Sequence, residues 1–142
     1  MDAQQLIAKL HERGLKATPQ RVAIYEYILS RRDHPTTDQV YHEVRKRYPT
    51  MSLATVYQTL HLFTGMGLLQ ELELGDNVSR YDPNTSLHAN IICRGCGKIQ
   101  DYEAESVREL WSRITLGLGF EPTGQRLDIY RCCDECKRAG RC

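Results

Sequence analysis

The sequence has no long apolar run and no marked excess of either charge. No apolar stretch approaches the roughly 20 residues that a helix needs to cross a membrane. The first residues, MDAQQLIAKLHERG, lack the basic and then apolar pattern of an export signal. Lys and Arg number 19 and Asp and Glu number 18, so the net charge indicates no particular partner. We therefore expect a cytoplasmic protein that does not associate with a membrane.

The short metal-binding elements of zinc hydrolases and deaminases are also missing. The chain contains neither an HExxH nor an H-x-E element, so we expect that it is not an enzyme. Its six cysteines would indicate disulfides in a secreted protein. In a reducing compartment, paired cysteines instead favour metal binding or redox chemistry.

The first half of the chain has the pattern of successive helices with well-marked ends. An amphipathic segment over about residues 2–13 comes first. Thr18 is placed to cap a second helix, with Pro19 at its first position. Thr36 and Gln39 have the spacing of a capping box at the start of a third helix. These signals predict a helical N-terminal region.

A fourth helix begins after Ser52 and is followed by a hairpin. Apolar residues at helical spacing predict a buried stripe made of Leu53, Val56, Leu60 and Phe63. Two alternating runs around GDN then predict two antiparallel strands. Helices followed by a small hairpin form a winged helix-turn-helix, whose recognition helix enters the DNA major groove. The candidate DNA contacts are Ser52, Thr55, Tyr57 and Gln58, although the same residues also suit an ordinary solvent-facing helix surface.

The composition changes at Pro83, where turn-forming residues precede short strands, one helix and most of the cysteines. We therefore predict an α+β protein with a winged helix-turn-helix over 1–82 and a small α/β domain over 83–142. The second domain carries two C-x-x-C pairs, and their four sulfurs match the tetrahedral site that structural zinc prefers. The predicted zinc ligands are Cys93, Cys96, Cys133 and Cys136. Cys132 and Cys142 fit no pair, and Cys132 leaves the choice of ligand beside Cys133 open.

The strand in HANIIC carries two kinds of ligand. Side chains alternate along a strand, so His88 and Asn90 lie on one face and Cys93 on the other. Four sulfurs complete the zinc site, and the nitrogen and oxygen ligands therefore belong to a second site.

The chain resembles the ferric uptake regulator family over nearly its whole length, in segments whose order and spacing are specific. These segments are RDHPTTDQVYHEV, SLATVYQTLHLFTGMGLL, RYDPNTSLHANIICRGCGKIQDYE and YRCCDEC. The resemblance implies a homodimeric repressor with an N-terminal winged helix, a C-terminal dimerisation domain, a structural zinc and a regulatory metal at the hinge. It also implies an A/T-rich palindromic operator in double-stranded DNA. The regulatory ligands it implies are His34, Asp82, His88 and Asp101, with Asn90 where a second histidine is usual.

The ligand types indicate which branch of the family applies. Two imidazoles with two carboxylates suit Fe²⁺ or Mn²⁺, and Asp101 in place of glutamate resembles the peroxide-sensing branch. Repressors of that branch sense hydrogen peroxide through iron-catalysed oxidation of their own histidines. An amide oxygen at Asn90 is a weaker donor than imidazole, which leaves metal affinity and metal choice open. The alternatives are an iron- or manganese-responsive repressor of metal uptake without peroxide sensing, and a thiol switch that releases zinc on oxidation.

Overall fold

Six helices and five strands make up the fold of the chain, which confirms the predicted α+β class. The computed structural model describes residues 1–142, and the chain divides into two compact units, Met1–Thr85 and Ser86–Cys142. No helix combines the length and the apolar character that crossing a bilayer requires. The first unit contains α1 (Ala3–Glu12), α2 (Pro19–Ser30), α3 (Thr37–Arg47), α4 (Leu53–Gly65), β1 (Gln70–Glu73) and β2 (Ser79–Asp82). The second contains β3 (Ala89–Cys93), β4 (Ile99–Tyr102), α5 (Glu105–Leu116), β5 (Leu127–Arg131) and α6 (Asp134–Arg138).

The predicted helix caps of the first unit are confirmed. The Thr18 hydroxyl accepts a backbone N–H at 3.3 Å at the start of α2. At the start of α3, the Thr36 hydroxyl accepts the backbone N–H of Gln39 at 3.3 Å, and the Gln39 side chain accepts that of Thr36 at 2.9 Å. Ser52 caps α4 through a bond of 3.1 Å. Each cap satisfies backbone donors that have no partner inside the helix.

The four helices bury one apolar core, in which the rings of Tyr25 and Phe63 meet edge to face with centroids 5.5 Å apart. Val56, Leu60 and Phe63 are fully buried, as predicted. The prediction for Leu53 is wrong, because its side chain is 38% exposed. Leu53 is the first residue of α4. Side chains tilt towards the helix N-terminus, so this one projects past the end of the helix and away from the core.

The hairpin β1–β2 is antiparallel and confirms the predicted pair of strands. It also contacts the segment that leads into α3, because the backbone N–H of Tyr81 donates to the carbonyl of Pro35 at 3.0 Å. An isolated bridge between Thr36 and Arg80 extends this contact. The start of α3 is therefore held beside the end of β2.

The second unit is built on a three-stranded sheet in the order β4–β3–β5. The central strand β3 is antiparallel to β4 and parallel to β5. In this register Asn90 of β3 lies opposite Asp101 on one side and Asp128 on the other. Residues directly opposite on neighbouring strands share a face, so three polar side chains form a row across the sheet.

Candidate metal centres and DNA-contacting surface

The four predicted zinc cysteines come together in the second unit. Their sulfur atoms all lie within 4.8 Å of one another, and Cys96 Sγ is 4.0 Å from Cys133 Sγ. Four sulfurs at Zn–S distances of about 2.3 Å around a tetrahedral ion would be roughly 3.8 Å apart. The cluster is thus a zinc-type Cys₄ site with no position left for a substrate.

Local turns present the two cysteine pairs to each other. The first pair closes through the Gly97 N–H, which donates to the Cys93 carbonyl at 2.8 Å, with Gly97 in the left-handed region at φ 72°. In the second pair, Cys133 is the N-cap of α6 and Cys136 lies within that helix. A Cβ at Gly95 would meet the Cys136 sulfur at 2.8 Å, so glycine is required where the pairs approach.

Two of the thiols in the cluster have opposite electrostatic surroundings. The backbone N–H of Cys133 donates to Cys93 Sγ at 3.3 Å, and this contact, with further backbone N–H groups, lowers the pKa of Cys93 to about 6. Burial, followed by the neighbouring sulfurs, raises the pKa of Cys136 to about 12. Zinc binds thiolates, so binding must displace the proton of Cys136.

The prediction that Cys132 and Cys142 fit no pair is wrong. Cys132 and Cys142 form a disulfide with a Cα–Cα distance of 6.0 Å and a sequence separation of 10. The disulfide closes a loop that contains α6 and both ligands of the second pair. Nothing in the sequence spacing marks this pairing, because the two cysteines meet only when the chain turns back after α6. Since Cys132 is joined to Cys142, the four-sulfur site uses Cys133.

His34 and Asp82 form a buried pair in the first unit. Their side chains are each 2% exposed, and Nε2 of His34 lies 3.3 Å from Oδ2 of Asp82. The other oxygen of Asp82 accepts the backbone N–H of Asn84 at 2.8 Å, which fixes the carboxylate. His34 has φ 55°, a left-handed conformation that is uncommon for a residue with a side chain and is often found at functional sites. The contact of Pro35 with β2 holds this conformation in place.

His88 and Asp101 form a second pair, in the second unit. Nδ1 of His88 lies 2.7 Å from the Ser86 carbonyl, and because a carbonyl oxygen can only accept, Nδ1 carries the proton of the neutral ring. The lone pair is therefore on Nε2, which is 3.6 Å from Oδ1 of Asp101. A carbonyl that fixes the ring in this way is the usual support of a metal-binding histidine.

Asn90 lies on β3 directly opposite Asp101 of β4 and is 1% exposed. Its Nδ2 donates to Oδ1 of Asp128 at 3.1 Å, and its Oδ1 is buried without a hydrogen-bond partner. Buried polar oxygens are normally satisfied. An amide oxygen, an imidazole and a carboxylate are donor types that suit Fe²⁺ or Mn²⁺, so these residue types fit a regulatory metal. Asn90 and Cys93 are three positions apart on β3, and because side chains alternate along a strand they point to opposite faces.

The candidate DNA contacts are on the exposed surface of α4. Ser52, Thr55, Tyr57 and Gln58 are all exposed, and Tyr57 is exposed to 52%. Ser52 and Thr55 also contact each other through their hydroxyls at 2.9 Å. A cleft of about 620 Å³ opens beside the start of α4, and Lys16 and Arg21 contribute to its lining. These two cations are suited to phosphate contacts. Sequence reasoning did not identify them as candidates, because they stand apart from each other and from the predicted contacts in the sequence.

The chain is similar in sequence and in structure to known proteins of one family. The sequence model described as "Ferric uptake regulator family" matches residues 12–130. The peroxide-responsive repressor PerR of Staphylococcus epidermidis is 39% identical over 142 residues, covering 98% of this chain and 93% of the relative. The solved structure of the Campylobacter jejuni peroxide stress regulator aligns with a TM-score of 0.75 and 32% identity, covering 96% of this chain and all of that one. A ferric uptake regulator from Francisella tularensis, solved with iron, aligns with a TM-score of 0.71 and 28% identity, covering 87% and 96% of the two chains. The protein described here therefore belongs to the ferric uptake regulator family.

Proposed function

We propose that this protein is a metal-dependent DNA-binding transcriptional repressor that senses hydrogen peroxide through oxidation of its own histidines. The observation that carries the proposal is the set of buried nitrogen and oxygen donors, His34 with Asp82 and His88 with Asn90 and Asp101. The relative from S. epidermidis is named a peroxide-responsive repressor, and its similarity extends over almost the whole chain. The role is that of a regulator and not of an enzyme.

In this proposal the first region binds DNA and the second region forms the dimer. Residues 1–82 act as a winged helix-turn-helix, in which α4 is the recognition helix and the β1–β2 hairpin is the wing. Ser52, Thr55, Tyr57 and Gln58 contact an A/T-rich palindromic operator in double-stranded DNA. Residues 83–142 form the dimerisation domain, in which Cys93, Cys96, Cys133 and Cys136 bind a structural zinc. The exposed apolar side chains of α5 and β5 support a homodimer, because a free surface of this kind favours association.

One regulatory ion bound by His34, Asp82, His88, Asn90 and Asp101 would tie the two regions together. The ion controls DNA binding only if it binds the DNA-competent arrangement more tightly than the others. The recognition helices of a dimer must match successive major-groove faces, so loss of a ligand releases the operator.

The histidines of this set are the chemical target of the sensor. Ferrous iron, when bound, supplies the one-electron chemistry that converts hydrogen peroxide into an oxidant of nearby side chains. His88 is suited to be modified because Ser86 holds its ring in one orientation. His34 is suited because its side chain is buried beside Asp82. Oxidation of either ring weakens a ligand, and the metal and the DNA are then released.

The test is mass analysis after anaerobic loading with Fe²⁺ and a brief exposure to hydrogen peroxide. One added oxygen atom is expected on the peptide with His34 or the peptide with His88, together with loss of operator binding. Protein loaded with Mn²⁺ should stay unmodified and bound. The peptide with His61, an exposed histidine of α4, is the internal control and should not change. Iron-loaded protein that stays on DNA with both ligand histidines intact would contradict peroxide sensing.

A second candidate function is an iron- or manganese-responsive repressor of metal uptake without peroxide sensing. The amide oxygen of Asn90 favours it, because oxygen-rich sites suit Mn²⁺. In that case operator binding requires Fe²⁺ or Mn²⁺, and peroxide leaves both metal forms on DNA.

A further inference from the structure

The amide of Asn90 has one defined orientation. A carboxylate can only accept hydrogen bonds when ionised, so the atom 3.1 Å from Oδ1 of Asp128 is the amide nitrogen of Asn90. The amide oxygen is consequently at the opposite end of the planar group. It is buried and accepts no hydrogen bond.

Asp128 is itself held by Arg126. Nε of Arg126 donates to Oδ1 of Asp128 at 2.9 Å, and Nη2 lies 2.7 Å from Oδ2. This two-point contact between guanidinium and carboxylate fixes the plane of the carboxylate. Oδ1 of Asp128 therefore accepts from both Arg126 and Asn90, and a continuous series of polar contacts runs from β5 to the central strand.

Two other candidate donors of this unit are neighbours of Asn90 in the sequence or in the sheet. His88 immediately precedes β3 and stands two positions before Asn90, which is the spacing of residues on one side of an extended chain. Asp101 lies directly opposite Asn90 on β4. Leaving a buried carbonyl oxygen unsatisfied costs free energy. A cation bound by His88 and Asp101 would remove that cost.

We propose that Asp128 is a positioning residue, which turns the amide oxygen of Asn90 towards the regulatory metal and makes Asn90 an oxygen ligand. The inference rests on the proposed function, since it requires the regulatory metal. Asp128 does not touch the ion; it acts through the hydrogen bond to Asn90, in the way that carboxylates support metal-binding histidines.

The experiment is a double-mutant cycle on zinc-loaded, full-length protein, with Mn²⁺ as the probe and the free Mn²⁺ signal in electron paramagnetic resonance as the readout. Asp128→Ala should weaken Mn²⁺ binding about ten-fold or more, as losing a supporting residue usually does. Asn90→Ala should weaken it as well. In the Asn90→Ala background, Asp128→Ala should have little further effect, because the group through which it acts is gone.

Two further variants separate positioning from a general structural role. Asn90→His should bind Mn²⁺ more tightly than the native chain, and Asp128→Ala should reduce that gain because the carboxylate also supports an imidazole N–H. Glu121→Ala removes an exposed carboxylate of the same unit and should leave the affinity unchanged. Zinc content and thermal unfolding report whether each variant is folded.

The outcomes for the two proposals can be distinguished. Additive losses from Asp128→Ala and Asn90→Ala, or unchanged Mn²⁺ affinity in folded variants, would overturn the positioning role while leaving the repressor intact. Operator binding that is the same with and without Mn²⁺ would overturn the proposed function, even if the cycle shows coupling. If the zinc-loaded native protein binds no Mn²⁺ at all, both the positioning role and the proposed function would be overturned.

Discussion

Cys136 is the most deeply buried of the four sulfur ligands, with no exposed surface. Its sulfur lies where the two C-x-x-C pairs approach across Gly95. A hydroxyl at this position cannot replace the thiolate, and the free energy of zinc binding is also folding free energy for a small unit of this kind.

We therefore expect Cys136→Ser to lose most of its zinc, from about one ion per chain in the native protein, and to unfold or dissociate the second unit. Metal analysis and sedimentation measure the two effects. Cys132→Ser is the matched control, because it opens the disulfide with Cys142 but leaves the four ligands in place. The Cys132→Ser protein should keep its zinc. Any loss of its thermal stability relative to the native protein should disappear when the two are compared in the presence of a thiol reductant. A Cys136→Ser protein with full zinc and normal assembly would refute the site.

Each helix of the first unit begins at a side-chain cap, and the cap of α3 lies close in the sequence to the candidate metal ligand His34. Thr36 caps α3 two residues after His34 and also bridges to β2. The cap therefore stabilises both the helix and the segment that carries the ligand.

Replacing the cap by Thr36→Ala should lower the free energy of unfolding by about 1 kcal/mol, because a backbone donor at the start of α3 loses its partner. Urea denaturation of the full chain measures this loss. Thr50→Ala changes an exposed threonine outside the helices and should have almost no effect. Equal stabilities of the two variants would show that the cap is not needed.

Helix α4, the proposed recognition helix, presents polar and aromatic groups on the surface that faces away from the core. Tyr57→Ala or Gln58→Ala should weaken operator binding by roughly ten-fold or more, since a lost base contact costs about 1–3 kcal/mol, and Mn²⁺ uptake should survive. Fluorescence anisotropy with operator DNA provides the measurement. His61→Ala, one turn further along the exposed side of α4, should change the affinity much less. If all three variants bind alike, another surface contacts the bases.

At the scale of the whole molecule, several large apolar side chains are exposed on the surface of the second unit. Leu110 is 50% exposed and Ile114 is 43% exposed, and their spacing puts them on one face of α5. Leu116 and Phe120 are exposed to 87% and 66% just beyond. A patch of this kind is characteristic of an association surface.

A double substitution of Leu110 and Ile114 by Glu should therefore give a folded monomer that retains zinc and has lost most of its operator affinity. Light scattering after size exclusion reports the mass. Arg113→Glu places a new negative charge at an exposed polar position of the same helix and should remain dimeric. A dimeric double variant would show that α5 does not form the interface.

Signals that act over a few residues were readable from the sequence. The caps at Thr18, Thr36 and Ser52 could be predicted because a cap bonds to its own helix within one turn. The hairpin could be predicted because strand alternation and turn residues are also local. The exposure of Leu53 was mispredicted, because periodicity states which residues share a face but not where the core ends.

Some features of the metal sites could likewise be predicted from the sequence, and others required the folded structure. Ligand types, C-x-x-C spacing and the alternation of His88, Asn90 and Cys93 are properties of short segments, so the existence of two sites with different donors followed from the sequence. The pairing of Cys132 with Cys142 and the hydrogen bond from Asn90 to Asp128 required the folded chain. That bond joins residues 38 positions apart, and no propensity or spacing rule acts over such a distance. Only the register that aligns β5 with β3 brings Asp128 to Asn90, and this contact decides which end of the amide the metal would meet.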